Sequence, residues 1–220
     1  MAGLRLVIAM FWKDILNRTF SPNERDSAAN DLIEKCGYAA AALTIIPLPG
    51  SEIVAVMPIH VGMVVGIGHI YGQELTKQSA TDMVLRIGAT VGLSLVGSRI
   101  ATTAAKMLLP GLGGLLAAPF MFASTFAIGA VAQSYFESDG NLSDEDIKSV
   151  YERAAKNAKS SFDPSRAKSD ESKQAANDAA HSEQKEDPSE RLTKLKELLD
   201  KGLIDQAEYD ATKSKILSEI

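Results

Sequence analysis

The sequence predicts an all-α protein with a long apolar centre and a small C-terminal helical module. Two observations support this fold class: apolar residues recur at helical spacing in both charged arms, and the centre consists of uncharged stretches rich in Gly and Ala. Residues 39–137 hold four basic and four acidic residues, whereas residues 138–220 hold 14 basic and 19 acidic residues. An apolar centre between charged arms is atypical of a soluble domain.

The N-terminal arm, residues 1–47, predicts two amphipathic helices. The second begins with Ser21 as N-cap, Pro22 at the first helical position and Glu24 completing a capping box. The first either lies in a membrane interface or packs on its own domain, because both arrangements require an amphipathic helix. Their apolar faces comprise Leu4, Val7, Ile8, Phe11 and Ile15 in the first, and Ala29, Leu32, Ile33, Cys36, Ala40 and Leu43 in the second.

The centre contains an internal duplication. Leu48-Pro49-Gly50, Pro58 and Ile67-Gly68 recur as Leu109-Pro110-Gly111, Pro119 and Ile128-Gly129, each at an offset of 61 residues. Six matches in one register indicate a repeated unit in which a turn leads into an apolar helix, so the centre is predicted to consist of apolar helical hairpins.

Both copies open a segment long enough to cross a membrane. Residues 53–73 form 21 positions and residues 107–136 form 30 positions without Asp, Glu, Lys or Arg. A membrane span needs about 20 apolar residues. The side chains that we predict to contact lipid are Ile53, Val54, Val64, Val65, Ile67, Leu115, Leu116, Phe120, Phe122 and Phe126.

The helix between the two copies, about residues 78–108, is too often charged to span a bilayer. Small residues at i and i+4 allow close approach of helices in membranes and in soluble bundles alike. A soluble bundle that buries both apolar helices therefore remains the alternative to lipid contact. The glycines predicted to mediate helix packing are Gly62, Gly66, Gly88, Gly92 and Gly129.

The residue inventory predicts neither an enzyme nor a cofactor or metal site. One Cys and three scattered His do not form a zinc ligand set. His60 and His69, nine residues apart, point to opposite sides of one helix and are expected to be hydrogen-bonded core residues or pH sensors. Glu52 is expected to stabilise a helix start, with ion sensing as its alternative. A net charge of −5 argues against nucleic-acid binding.

Residues 39–137 resemble the uncharacterised domain of YcjF-type proteins, which accompanies bacterial Era-like and dynamin-like GTPases. The resemblance implies a helical, membrane-associated domain and a GTPase partner, but no catalytic residues. The chain lacks the G-x-x-x-x-G-K-[ST] motif, so any GTPase is a separate protein. The residues that carry the resemblance are I-P-L-P-G-S-E at 46–52, His60 with Met63, I-G-H-I-Y-G at 67–72, L-P-G-L-G-G at 109–114, and T-F-A-I-G at 125–129 with Tyr135.

The tail predicts a capped helix, a linker and a hairpin. Ser143 caps a helix that ends near Ser160, and residues 188–220 form two short helices. Residues 161–187 have almost no apolar bulk and are predicted to be a disordered linker, with residual helix around residues 171–180. In the hairpin, Asp187 and Asp205 are the predicted caps and Gly202 ends the first helix. Its apolar residues, predicted to contact a partner or a second copy, are Leu192, Leu195, Leu198, Leu199, Ile204, Tyr209 and Ile216.

The hairpin resembles the SHOCT domain, a short C-terminal module of bacterial proteins. The resemblance rests on L-x-x-L-x-x-L-L, K-G-L-I, E-Y and K-x-K-I-L within residues 190–217, and it implies an interaction or oligomerisation role. The chain is therefore divided into N-terminal helices (1–47), an apolar domain (48–160), a linker (161–187) and a SHOCT-like hairpin (188–220).

Two functional hypotheses follow. The first is a non-enzymatic scaffold or adaptor at the bacterial inner membrane, with a cytoplasmic tail, that binds membrane lipids, acts with a GTPase or other partner and oligomerises through its hairpin. The second is a toxin-like pore-forming protein whose apolar helices insert into the bilayer.

Overall fold

A computed structural model describes residues 13–46, 52–95, 114–184 and 187–218. Those residues form helices joined by short turns and contain no strand, which confirms the predicted all-α class. The first predicted helix lies largely outside the described residues, and so do Pro47, both Leu-Pro-Gly motifs and the segment 96–113.

The described N-terminal helices are α1, Lys13–Leu16, and α2, Pro22–Leu43. The predicted start of α2 is confirmed: the backbone N–H of Ser21 donates to the Glu24 carboxylate at 3.0 Å, and Pro22 occupies the first turn. The predicted apolar stripe of α2 is buried from Ala29 to Leu43, which makes this helix the centre of the bundle.

The two copies of the repeat form α3, Glu52–Ile70, and α5, Gly114–Glu137, with α4, Lys77–Leu95, between them in the chain. The copies run parallel and side by side, because His60 meets Thr125 near their middles and Tyr71 meets Glu137 at their ends. Both helices pack against α2, and Pro58 and Pro119 lie within them.

A tight turn returns the chain along α5. Asp139 and Gly140 have φ values of 50° and 85°, and a Cβ at Gly140 would lie 3.2 Å from the Tyr135 hydroxyl oxygen. Helix α6, Asp144–Ser161, begins as predicted at Ser143, whose hydroxyl accepts from the Asp146 N–H at 3.1 Å. It packs along the length of α5.

The prediction of a disordered linker is wrong for most of residues 161–187. Helices α7, Pro164–Ala167, and α8, Asp170–Gln184, occupy this stretch, and α8 packs against α2 and α3. Alanine gives α8 its contact face: Ala175, Ala176, Ala179 and Ala180 are buried. The polar composition of this stretch did not reveal the helix. Its alanines, at i, i+1, i+4 and i+5, form one helical face that lacks large side chains but packs closely.

The C-terminal hairpin consists of α9, Pro188–Asp200, and α10, Gln206–Ser218. Its predicted caps are confirmed: Asp187 accepts from the Ser189 N–H at 2.8 Å, Asp205 accepts from the Glu208 N–H at 2.8 Å, and Gly202 has a φ of 67°. A left-handed residue after a helix favours glycine, so Gly202 explains the sharp turn between α9 and α10.

Candidate interaction site

The contact between α3 and α5 contains a buried polar pair. His60 is 6% exposed, and its Nε2 lies 2.9 Å from the Thr125 hydroxyl oxygen, which is fully buried. Burial lowers the pKa of His60 to about 4, because the charged imidazolium would lose its hydration. The side chain is therefore neutral at neutral pH and acts as a hydrogen-bonded core residue, one of the two roles expected from the sequence.

Of the described glycines, Gly129 of α5 has the least space for a side chain. A Cβ at this position would lie 2.6 Å from Cγ1 of Ile33 on α2 and 3.0 Å from Sδ of Met63 on α3. No side chain fits in that space, so three helices meet here only because residue 129 is glycine. Gly62 and Gly66, on α3, are buried as well.

The Tyr71 hydroxyl connects the start of α2 with the C-terminal ends of α3 and α5. It lies 2.7 Å from Asp26 Oδ1 and 2.9 Å from Glu137 Oε1, and Gln133 Nε2 donates to it at 3.3 Å. Burial and the two carboxylates raise the pKa of Tyr71 above its usual range, because a phenolate there would be poorly solvated and would face negative charge. The phenol therefore keeps its proton at neutral pH and connects the three helices through hydrogen bonds; we call this group the Tyr71 clasp.

Most of the predicted lipid-contacting residues whose side chains are described lie within the protein. Val64, Ile67 and Phe122 are at most 1% exposed, and Val65 and Phe126 are partly buried against the core. In this conformation they contact other helices, so the expectation that they face lipid does not hold here. The side chains of Ile53, Val54, Leu115 and Leu116 lie outside the described set.

Phe120 is the exception among the predicted lipid-contacting residues. Its ring is 38% exposed near the start of α5, and Lys159 Nζ from α6 lies 3.9 Å from the ring centroid. Beside it, Phe122, Phe162 and Tyr38 form an aromatic cluster with ring centroids 4.5 to 6.0 Å apart. Arg166 covers Tyr38 at 4.2 Å and pairs with Glu34 at 2.6 Å. The sequence reasoning missed this cluster, although the aromatic residues and the basic run at 153–169 are visible in the sequence.

The apolar residues of the hairpin form a small core together with residues of α3 and α4. Leu195, Leu198, Ile204 and Ile216 are buried with Leu85 of α4, and Met57, Leu192, Leu199, Leu203 and Tyr209 surround them. Leu203 seats the hairpin on the helical bundle, because a Cβ at Gly88 would lie 3.0 Å from Leu203 Cδ2 and one at Gly92 would lie 3.8 Å away. These two glycines thus receive the hairpin rather than a bundle helix.

The described residues contain no group of three or more His, Cys, Asp or Glu side chains arranged to hold a metal ion. Cys36 is buried, and loss of hydration raises the pKa of its thiol to about 12, so it is not a thiolate at neutral pH. One helix in the described part of the chain, Ala117–Glu137, is long and apolar enough to cross a membrane, and 56% of its apolar window is buried inside the protein.

The structure thus defines an all-helical bundle followed by a separate C-terminal hairpin. Residues 16–160 match the family described as Domain of unknown function (DUF697). This match covers more than half of the chain, and the protein belongs to that family. Residues 190–217 match the Short C-terminal domain, SHOCT. Both predicted resemblances, and their order in the chain, are confirmed.

The chain is also similar to Magnetosome membrane protein 22 of Magnetospirillum gryphiswaldense. The two are 30% identical over 137 residues, which are 59% of this chain and 69% of that protein. No solved structure is significantly similar to the chain.

Proposed function

We propose that this protein is a non-enzymatic adaptor that associates with the surface of a bacterial membrane. The observation that carries the proposal is the helix Ala117–Glu137, which has the length and composition of a membrane helix yet is only 56% buried in its own bundle. The similarity to a magnetosome membrane protein supports the same conclusion. Because α3 is sealed in the core, the closed bundle binds at the surface and does not insert α3.

Flotation and extraction test this proposal. We expect the purified full-length protein to float with liposomes made from bacterial lipids, and alkaline carbonate to release it from membranes without detergent. A protein that stays at the bottom of the gradient would contradict membrane association. A protein that resists carbonate and needs detergent would contradict surface binding.

As an adaptor, the protein would bind a protein partner. Both would lie on the cytoplasmic side of the inner membrane. The YcjF-type resemblance supports a separate GTPase as that partner, and the SHOCT match supports contact through residues 188–220. Deletion of 188–220 is expected to leave flotation intact, to lower the oligomer order measured by light scattering, and to weaken co-purification of a GTPase encoded nearby. Unchanged oligomer order and co-purification would refute the role of the hairpin.

One observation favours a second candidate, a pore-forming protein. Other helices enclose α3, which packs against α5, and this arrangement would keep an insertable pair of apolar helices soluble. Dye leakage separates the candidates: the adaptor binds vesicles and leaves them sealed, whereas a pore-forming protein releases the dye.

A further inference from the structure

Two large apolar side chains are exposed among the described residues, and they differ in their surroundings. Leu217, 49% exposed, lies on α10 of the hairpin. Phe120, 38% exposed, lies near the start of α5 with Lys159 Nζ 3.9 Å above its ring. An aromatic ring with a cation on its face combines an apolar body with a charged partner, as side chains at membrane–water interfaces do.

The surface around Phe120 is basic in a protein that is acidic overall. The chain carries a net charge of −5, yet residues 153–169 hold five basic residues and a single acidic residue, Asp163. One basic residue, Arg166, is paired with Glu34. Lys156 and Lys159 are exposed, and they lie on one face of α6 because they are three positions apart. Of these residues, Lys159 places its positive charge directly over the exposed Phe120 ring, and Lys156 lies one helical turn before it on α6.

An aromatic cluster joins the helices on which this surface lies. Phe162, from the residue that follows α6, stacks on Tyr38 at 6.0 Å and lies 5.5 Å from Phe122. Phe122 is on α5, two positions after Phe120, and is buried. These contacts hold α5, the helix that carries Phe120, against α2 and the end of α6.

We propose that Phe120, Lys156 and Lys159, the basic-aromatic surface, dock the protein on an anionic lipid bilayer. The lysines contact lipid phosphates, and Phe120 enters the headgroup layer. The occupant is a lipid surface because cytoplasmic leaflets are negatively charged and attract clustered lysines. A second reason is that Phe120 belongs to the helix that is apolar enough to meet lipid. This inference rests on the proposed membrane association and names the surface that performs it.

Vesicle sedimentation with the full-length protein tests the inference. Vesicles of equal parts phosphatidylglycerol and phosphatidylcholine are compared with vesicles of phosphatidylcholine alone. The double variant Lys156→Glu with Lys159→Glu is expected to bind the anionic vesicles at least 25-fold more weakly, because loss of the two positive charges alone accounts for about that factor. Phe120→Ser is expected to bind about fivefold more weakly, and added salt is expected to weaken the wild type but hardly affect the double variant.

Matched controls lie on the hairpin. The double variant Lys201→Glu with Lys213→Glu makes the same change in net charge. Lys213 is a suitable match for Lys159, because it also lies over an aromatic ring, that of Tyr209. Leu217→Ser removes the other exposed apolar side chain. Both controls should bind as the wild type does. All variants alter exposed residues, so their thermal unfolding transitions, followed by circular dichroism, should match that of the wild type. If the double lysine variant unfolds at a lower temperature, the Phe120→Ser result is used instead to test the docking surface.

The outcomes separate the two proposals. If the wild type binds anionic vesicles and the Lys156, Lys159 and Phe120 variants bind equally well, the docking surface is wrong and membrane association stands. Equal binding of the wild type to both vesicle types also overturns the docking surface. If the wild type binds neither vesicle, the proposed function fails as well.

Discussion

Helices α3 and α5 contain copies of one motif and lie side by side in parallel, yet their surroundings differ. Helix α3 is enclosed by α1, α2, α4, α5 and α8, and Met63, Val64 and Ile67 have no exposed surface. Helix α5 packs mainly on α2 and α6 and leaves Phe120 exposed. The sequence repeat thus accounts for the parallel direction of the two helices and for their shared Pro and Gly positions. The helices that pack around each copy determine which copy has exposed side chains.

The sharpest test of this comparison uses the equivalent glycines, Gly129 and Gly68. Gly129→Ala is expected to lower the free energy of unfolding by about 3 kcal/mol, because its Cβ would lie 2.6 Å from the fully buried Ile33. Gly68→Ala should cost about 1 kcal/mol, because its nearest contact at 3.0 Å is the flexible end of Leu75 and a further contact is the Gln73 carbonyl oxygen at 3.1 Å. Urea unfolding measures both, and equal losses would contradict the difference between the copies.

The copies also differ in a titratable residue: the position that matches His60 in α5 is Met121. The pKa of His60 is about 4 in the folded protein against 6.5 in the unfolded chain, so the unfolded state binds the proton more readily. The titration of His60 therefore has little effect on stability above pH 6.5 and reduces stability as pH falls from 6.5 towards 4. Between pH 7 and pH 5 the expected loss is about 2 kcal/mol.

The His60→Met variant copies the residue of α5 and is the control for that pH dependence. It leaves the Thr125 hydroxyl without the imidazole, so it is less stable at neutral pH, but its stability should fall less between pH 7 and pH 5. Chemical unfolding at each pH gives both quantities. Parallel pH curves for wild type and variant would show that His60 does not titrate as its burial requires.

The hairpin contributes to the enclosure of α3, because Met57 packs against the hairpin core. Gly88→Leu is expected to displace Leu203 and to increase cleavage of the hairpin by a protease about tenfold, which corresponds to ~1.4 kcal/mol of docking energy. Gly92→Ala is the control on the same helix, since its Cβ would lie at an ordinary contact distance of 3.8 Å from Leu203. Wild-type cleavage rates for Gly88→Leu would mean that Leu203 does not hold the hairpin in place.

The smallest expected effect concerns α6, which covers α5. Ser143→Ala removes the hydroxyl that accepts from the Asp146 N–H and should lower stability by about 1 kcal/mol. Ser160→Ala, near the exposed end of the same helix, should be almost neutral. Thermal melts measure both, and a larger loss for Ser160→Ala would contradict the capping argument.

Local signals predicted much of the fold. The caps at Ser21, Ser143, Asp187 and Asp205 marked four helix starts correctly, because capping depends on residues within one turn. Only residual helix around residues 171–180 was expected where α8 lies, because polarity was taken as evidence of disorder, whereas its alanine face packs through close approach of backbones rather than through bulk.

The candidate site was harder to predict than the fold. Hydropathy marks an apolar residue equally whether it packs on protein or lipid, so Val64 and Phe120 were indistinguishable in the sequence. Pairing of His60 with Thr125 and of Lys159 with Phe120 depends on how distant segments come together, and the repeat offset gave the one hint that α3 and α5 are neighbours. A basic run next to an exposed aromatic residue was visible only once α6 was known to lie against α5.

The clasp at Tyr71 has a consequence for how the bundle tolerates mutation. A hydroxyl has one hydrogen, while two carboxylates, Asp26 and Glu137, lie within its reach. Only one carboxylate accepts that hydrogen at a time, so loss of Asp26 leaves the link to α5 and loss of Glu137 leaves the link to α2. Loss of the Tyr71 hydroxyl removes both links at once, so the hydrogen bonds at this end of the bundle depend more on residue 71 than on either carboxylate.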